Sequence, residues 1–443
     1  MSGEAYRAPW LVTAAQVFAA ADAPLYAVGG IVRNDCMGLP ASDVDLCGPS
    51  RPEQVAAFCE ESAVRTVLRA AHFGTVELHV ADSDGRHMGE YTTFRVDSYR
   101  GGHQPFAVRF ADTLEVDALR RDFSVNALYR RLLPEGPGPI HDPTGGLTHL
   151  QRGILHTVTE DPDLVLQDDG LRILRAARFQ AELGLRPTGA LLASAQKYAP
   201  LLSQIARERL RDELAKLLTA DTRYPTLRRE EAPVPAGLRT LRAVGAWPLL
   251  FPDFSADEAA MAALGTYHPP EGMPALAGKL ALLFYTAEPE TLSVWMQTYR
   301  FAQKDALTAA AALTATRALA GGKLTLADAM RLGKPVITHA CEAFAALKAQ
   351  GVACDAALDA ACTLAETMRD PALPPTLREL AVRGDALLPL VENALMPRSE
   401  VGRLLEALWR ATVERRVPNE REALLQLAAQ LLRTDKPESR KPS

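Results

Sequence analysis

Apolar positions recur along this chain with two different periods. Up to about residue 146, short runs such as LYAVGG (25–30), VDLCG (44–48), TVELHV (75–80) and AVRF (107–110) mix β-branched and aromatic residues with Gly and Pro turns. From about residue 160 the texture becomes Ala, Leu and Arg at helical spacing, with breaks near Pro187, Pro233, Pro252, Pro269 and Pro371. The pattern predicts an α+β first third followed by a remainder that is almost all helix. In LRILRAARFQAELGL, Leu171, Leu174, Ala177, Phe179 and Leu183 form an apolar stripe, with Arg172, Arg175 and Arg178 on a neighbouring, cationic face. A second helix is expected over 206–218, where Arg207, Arg209, Arg211 and Lys216 sit among acidic residues; a solvated, salt-bridged face is the plainer reading of it. Residues 302–320 read as an Ala-rich helix, no fixed-period repeat is found, and the last nine residues, DKPESRKPS, read as disordered.

Composition narrows the class. The 443 residues, 48% hydrophobic and 23% charged, suit a folded protein of roughly three domains, or one catalytic domain with a long appendage, and exclude a fibrous or disordered chain. No stretch approaches the roughly 18 apolar residues of a membrane helix. The N-terminus has no basic start followed by an apolar core, so a cytoplasmic protein without membrane contact is expected. The six cysteines form no CxxC pair and no metal spacing with histidine, which predicts buried, reduced thiols. A net charge of −5 gives no bulk reason for nucleic-acid binding, so any such surface must be local.

The chemistry concentrates in a few segments. Gly29 and Gly30 end an apolar run and precede a helix, where backbone N–H groups approach an anion closely. Asp43 and Asp45 alternate with Val44 and Leu46, so at a strand's period both carboxylates share one face and need a cation between them. Mg²⁺, which takes oxygen ligands and substrate phosphates, suits the pair. A lone DxD is commonly a surface turn, but the glycines upstream and a third carboxylate, Glu90 in GEYTTFRV, favour a site. In LRRDFSVNAL, Arg120 and Arg121 have the fork that binds phosphate. On a helix, Asp122 and Asn126 would share a face. Asp169 and Arg172 stand three apart, as an ion pair or as a reader of bases. A carboxylate accepts and a guanidinium donates, which matches cytosine and adenine. Uracil and guanine would leave a buried group unpaired, at about 1–3 kcal/mol.

The series GGIVRN, SDVDL, HFGTV, EYTTFR, RRDFSVNAL, DPTGG, DDGLRILRAARF and RERLRDELAKLL, collinear over about residues 25–218, resembles the class II tRNA nucleotidyltransferases, the bacterial CCA-adding enzymes of the DNA polymerase β-like superfamily. The resemblance implies an N-terminal polymerase-β-like β-sheet head over 1–148, a helical neck over 149–225, a body over 226–345 and a tRNA-binding tail over 346–443. It implies template-independent addition of CCA to the tRNA 3′ end from CTP and ATP, with release of pyrophosphate. Asp43 and Asp45 would hold two Mg²⁺ ions, with Glu90 completing the catalytic set. Gly29, Gly30, Arg33, Arg120 and Arg121 would bind the triphosphate, with Asp122 and Asn126 near the ribose. Asp169 and Arg172 would select the base, and Arg175, Arg178 and Arg207 would meet nucleotide or primer along the acceptor arm, with no obligate protein partner.

The chain departs from the family pattern at several positions: Asn34 for Asp, His149 for Asp, Val165 and Leu166 for Arg and Phe, Asp168 for Glu and Gly170 for Pro. The loop VDSYRGGHQP (96–105), which CCA-adding and A-adding enzymes share and CC-adding enzymes shorten, is present with Gly101 and His103 in place of Asp and Arg. No HD-type motif of a phosphohydrolase domain is found. The alternatives are a CC-adding or A-adding enzyme, a poly(A) polymerase, a small-molecule nucleotidyltransferase that leaves the helical part without a role, and a non-catalytic RNA-binding relative. Retention of Asp43, Asp45 and Glu90 argues against the last.

Overall fold

A computed structural model describes residues 3–41, 43–82, 85–98, 107–252, 254–352, 363–368 and 370–434. The expected disordered end and most of the 96–105 loop lie outside them. Tertiary contacts divide the chain into two units, Met1–Ser255 with Thr298–Arg300, and Ala256–Gln297 with Phe301–Ser443. The segments expected as head and neck both fall within the first.

The first unit is built on a mixed seven-stranded sheet in the order β3-β4-β5-β2-β1-β8-β9. Its strands are β1 (Leu25–Val28), β2 (Asp45–Gly48), β3 (Val64–Ala70), β4 (Thr75–Asp82), β5 (Gly85–Thr93), β8 (Tyr129–Leu133) and β9 (Gly136–His141). The run AVRF forms β7 (Ala107–Phe110), which pairs outside the sheet with β6 (Arg95–Ser98). Helix α1 (Pro9–Ala20) starts with Pro at its first turn and repeats Trp10, Leu11, Ala14, Ala15 and Phe18 at helical spacing. That stripe packs with Leu46, Val76, Leu78 and Tyr91 in one core, each large side chain contributing about 1.5–3 kcal/mol. The Trp10 ring lies against Gly89, where any Cβ would come within 2.9 Å of it. The alternate residues of the strands therefore face the other way, and these include Asp45 and Glu90.

After β9 the described elements of this unit are helices apart from a two-residue strand pair, Ile154–Leu155 with Arg186–Pro187. The unit's helices include α2 (Gly30–Met37), α3 (Pro52–Cys59), α4 (Leu114–Ala118), α5 (Gly146–Gln151), α6 (Asp163–Leu166), α7 (Leu171–Leu183), α8 (Gly189–Tyr198) and α9 (Arg207–Leu218), of which α2, α7 and α9 line the site. Pro233 opens the helix Pro233–Ala243 rather than merely ending the one before it, because a first-turn N–H needs no helical partner. The described part of the second unit is helical as predicted, with the expected Ala-rich helix at Gln303–Ala320. Of the cysteines, Cys47 and Cys59 are buried as expected, whereas Cys36 is exposed on the last turn of α2.

Candidate active site

The sheet fixes the carboxylates by register. Asp45 opens β2 and stands directly beside Glu90 on the parallel strand β5, while Val28 of β1 flanks it on the other side. Asp43 lies two residues ahead of the strand rather than within it, so the pair is an approach and a strand end, not two positions of one strand. Glu90 sits within β5, three residues before its end. Surrounding protein pushes the Asp45 carboxyl above the ordinary carboxylate range; Arg121 opposes this, and Glu90 and Asp43 reinforce it. Negative charge is thus crowded here, as a cation site requires. Among the described residues no group of three or more His, Cys, Asp or Glu is close enough to hold a metal alone. That leaves coordination positions for substrate phosphate and water.

Next to these carboxylates opens a cavity of about 590 Å³ lined by ten basic and six acidic side chains. The local positive surface that the net charge hid is here. Gly29 adopts φ +75°, a left-handed conformation natural to glycine, and caps α2. Its backbone lies under the wall formed by Arg121 and the Asn126 carbonyl. Arg33, one turn into α2, is buried against Phe179 and donates to Asn126 and Asn34. Burial lowers its pKa to about 10, which still leaves it charged.

Arg120 and Arg121 are held by a residue that the motif reading passed over. Asp117 of α4 accepts from Arg120 Nε at 2.7 Å, from Arg121 Nη2 at 3.0 Å and from the Tyr129 hydroxyl at 2.7 Å. Burial opposes its charge, but the two arginines and these hydrogen bonds outweigh that and bring its pKa to about 2. The signal was present as Asp at i−3 and i−4 from the arginine pair.

Asp122 and Asn126 do meet, at 3.2 Å, but across an extended residue and the 3-10 turn Ser124–Asn126, not along an α-helix. Arg175 reaches Asp122 through Nε at 2.8 Å and Nη2 at 2.6 Å, holding the Asp122 carboxyl, despite burial, at about 2. The cationic face expected on α7 turns inward, since eleven of its thirteen residues are buried. Arg178 lies over Phe179 and pairs with Glu213 at 2.7 Å and Glu182 at 3.4 Å, while Arg175 also reaches Glu213. Glu213 of α9 is the carboxylate that allows two arginines to be packed side by side, and the sequence reading assigned it no role.

The expected Asp169 and Arg172 pair is not on one helical face, because α7 begins at Leu171 and Asp169 precedes it. Asp169 accepts from the Leu171 N–H at 2.9 Å and from Arg209 of α9 at 3.2 Å. Arg172 donates to the Val165 and Arg120 carbonyls at 2.8 and 2.7 Å. Both still line the cavity. Arg207 does not; it lies over Tyr299 and donates to its hydroxyl at 3.4 Å.

Several departures from the family pattern acquire local reasons. Asn34 donates to the Pro40 carbonyl at 2.8 Å and to the Tyr224 hydroxyl at 2.9 Å, and a carboxylate cannot donate to that carbonyl. At Gly170 a Cβ would fall 2.8 Å from Leu201 Cβ. His149 bonds Ser124 Oγ through Nδ1 at 2.8 Å and stacks on His156 at 4.7 Å. Gly101 and His103 fall outside the described residues.

Comparison with known proteins agrees with this arrangement. Family models match at residues 25–156 (Poly A polymerase head domain), 184–229 (RNA and SrmB-binding site of polymerase A) and 277–428 (tRNA nucleotidyltransferase domain 2). The chain is 35% identical over 204 residues to the CCA-adding enzyme of Latilactobacillus sakei subsp. sakei, covering 46% of this chain and 48% of that protein. The corresponding enzyme of Lactiplantibacillus plantarum is 29% identical over 412 residues, 91% of each chain. In the first of these relatives, as in that of Geobacillus stearothermophilus, the match spans about half the relative's length. The crystal structure of the Bacillus stearothermophilus CCA-adding enzyme in complex with CTP superposes with a TM-score of 0.72 at 25% identity, covering 96% of this chain and 97% of that one. The Thermotoga maritima CCA-adding enzyme complexed with tRNA shares the fold, with a TM-score of 0.64 at 18% identity over 94% and 93% of the two chains. The sheet-bound carboxylates at 43, 45 and 90 lie within the segment that matches the head-domain model. The chain thus resembles the poly A polymerase head over residues 25–156 and the CCA-adding enzymes over most of its length.

Proposed function

We propose that this protein adds CCA to the 3′ end of tRNA, without a template, from CTP and ATP. The observation that carries the reading is the junction of two opposite fields: the Asp43 and Asp45 carboxylates, with Glu90 beside Asp45 on the next strand, open into a cavity where basic side chains outnumber acidic ones. A nucleoside triphosphate needs both, a positive wall for its phosphates and a negative rim for the ions that accompany them.

In this reading Arg33, Arg120 and Arg121 bind the triphosphate, with Asp117 holding the last two in place before substrate arrives. The Gly29 turn lets the chain pass close to the phosphates. Asp122 and Asn126, locked together and to Arg175, border the sugar. Asp169 accepts from the exocyclic amine of cytosine or adenine, while Arg172 donates to the neighbouring ring acceptor. Arg209 holds Asp169 in orientation. Asp43 and Asp45 would hold Mg²⁺, which would supply positive charge where the 3′-hydroxyl attacks and pyrophosphate departs. Arg175 and Arg178 then act on the nucleotide side as a wall, and Arg207 is left for the RNA. The helical segments after residue 225, divided as body and tail, are assigned to the tRNA, and the protein to the cytoplasm; among the described residues no helix is long and apolar enough to cross a membrane.

The test is incubation with Mg²⁺ and a tRNA lacking its 3′ CCA, with CTP, ATP or both, read at single-nucleotide resolution. Two additions with CTP and three with both, then a stop, is the expected result. A stop at CC with both nucleotides, long A tails, or no product would each overturn it.

A further inference from the structure

The cavity reaches Asp43 and Asp45 but stops short of Glu90, which lies one strand further from it. Along one row of the sheet the residues run Tyr129, Val28, Asp45, Glu90, Glu77, on β8, β1, β2, β5 and β4. Arg121 stands over the Tyr129 end of this row, with its guanidinium 5.2 Å from the ring centroid. In phosphoryl transfer the attacking and leaving oxygens lie roughly in line on opposite faces of the phosphorus. If arginines at the Tyr129 end hold the leaving group, the attacking hydroxyl must arrive from the other end of the row, over Glu90 and Glu77.

On the face opposite α1, that end of the sheet carries exposed side chains. Met88 is 62% exposed, and the alternate residues of β4 and β3 on the same face include His79 and the exposed Arg65. Register places these three side by side across β5, β4 and β3, one step from the Glu90–Glu77 row and level with Asp43 beyond β2. His79 Nε2 lies 3.1 Å from Glu77 Oε2, so the extra carboxylate is engaged rather than left to repel a phosphate. An exposed thioether, an imidazole and a guanidinium on a flat surface are what an unstacked nucleotide needs: an apolar platform, a ring to stack on and a phosphate partner.

We propose that Met88, His79 and Arg65 form the platform on which the single-stranded 3′ end of the acceptor RNA lies as its hydroxyl reaches Asp45. The inference rests on the nucleotidyl-transfer reading for its direction of attack. It commits to an RNA end as occupant because the surface is continuous with the carboxylate rim on the side away from the nucleotide cavity.

Met88→Ser, His79→Ala and Arg65→Ala are to be compared with the intact protein in two assays, after thermal melting confirms that these surface variants fold. The first is binding of an RNA hairpin with a one-nucleotide 3′ overhang, followed by fluorescence anisotropy without nucleotide. The second is steady-state CTP addition to the same RNA. Each variant is expected to weaken RNA binding and raise the RNA KM by about fivefold, leaving the CTP KM within about twofold. Arg65→Ala should also reduce the slope of log affinity against log salt by about 0.7. Unchanged RNA affinity and KM, or a CTP KM that rises in parallel, would overturn the platform. If the intact protein binds the hairpin but adds no nucleotide, the catalytic reading fails and the binding assay alone still decides the platform.

Discussion

In the first unit the interior holds Arg33, Asp117, Asp122, Asp169, Arg172, Arg178, Glu182 and Glu213. In the second, the described polar groups buried as deeply are Lys279, Thr316, His339 and Thr412, and one of its cores is built from Leu387, Val391, Leu404, Leu408, Trp409 and Val413. Removing charges from water costs several kcal/mol per ion before pairing returns any of it. The first unit accepts that cost around a single cavity, where arginines are set in place ahead of a polyanionic ligand. The second has an ordinary apolar interior, with Trp409 donating its indole N–H to the Pro374 carbonyl at 2.9 Å. Buried charge is therefore concentrated in the region whose interior serves chemistry, against one lysine, Lys279, among the described residues of the region whose interior serves folding.

The contrast can be broken most sharply at the carboxylate rim. Asp45→Asn should reduce nucleotide addition by about 10³-fold or more. Because the charged form is disfavoured there, thermal melting of this variant should hold or rise. Parallel loss of activity and stability would make Asp45 a structural residue.

Asp117→Asn should lower kcat/KM for CTP and ATP alike by about 10²-fold and cost about 3 kcal/mol of stability, since it leaves a buried residue without charge between two half-buried arginines that lose their counter-charge. Its carboxylate also gives the first unit a pH signature. Asp117 and Asp122 both titrate near 2, below the ordinary value of about 3.9, so the stability they provide is complete above pH 4 and is lost as pH falls toward 2. Acid titration followed by near-ultraviolet circular dichroism should show that loss weakened in the Asn variant.

Trp409→Ala tests the other region. It should destabilise the second unit by about 3 kcal/mol, seen as an earlier melting transition, with CTP addition to a short RNA hairpin little changed below that transition. The smallest effect is expected at Gly170→Ala, where the new Cβ meets Leu201 and costs about 1–3 kcal/mol, displacing Asp169 enough to relax discrimination against UTP. A fully stable variant with unaltered fidelity would remove the packing reason given for this glycine.

Legibility in the sequence followed the range of the interactions. Strands such as TVELHV and the stripe of α7 were readable because periodicity is local, and Gly29 because a helix start needs only its neighbours. The charged groups of the site were readable as types: acids at 43, 45 and 90, arginines at 120, 121, 172, 175 and 178. Their partners were not. Asp122 meets Arg175 from 53 residues away, and Asp169 meets Arg209 from 40. The period-two argument failed at Asp43 because the strand starts two residues later, and the helical argument failed at Asp122 and Asp169 because each precedes its helical turn. In these cases one-dimensional spacing suggested the right neighbourhood through the wrong secondary structure.

By itself, the sequence determined where helices and strands form, which segments carry phosphate- and metal-directed chemistry, and which family the chain resembles, because propensity, periodicity and motif are properties of adjacent residues. Only the tertiary structure decided that Asp45, Glu90 and Glu77 share a row, that the arginines of α7 face inward, and that Asp117 and Glu213 hold them there. Those facts depend on strand register and on charge pairing in a desolvated interior, and both are set by segments far apart in the chain.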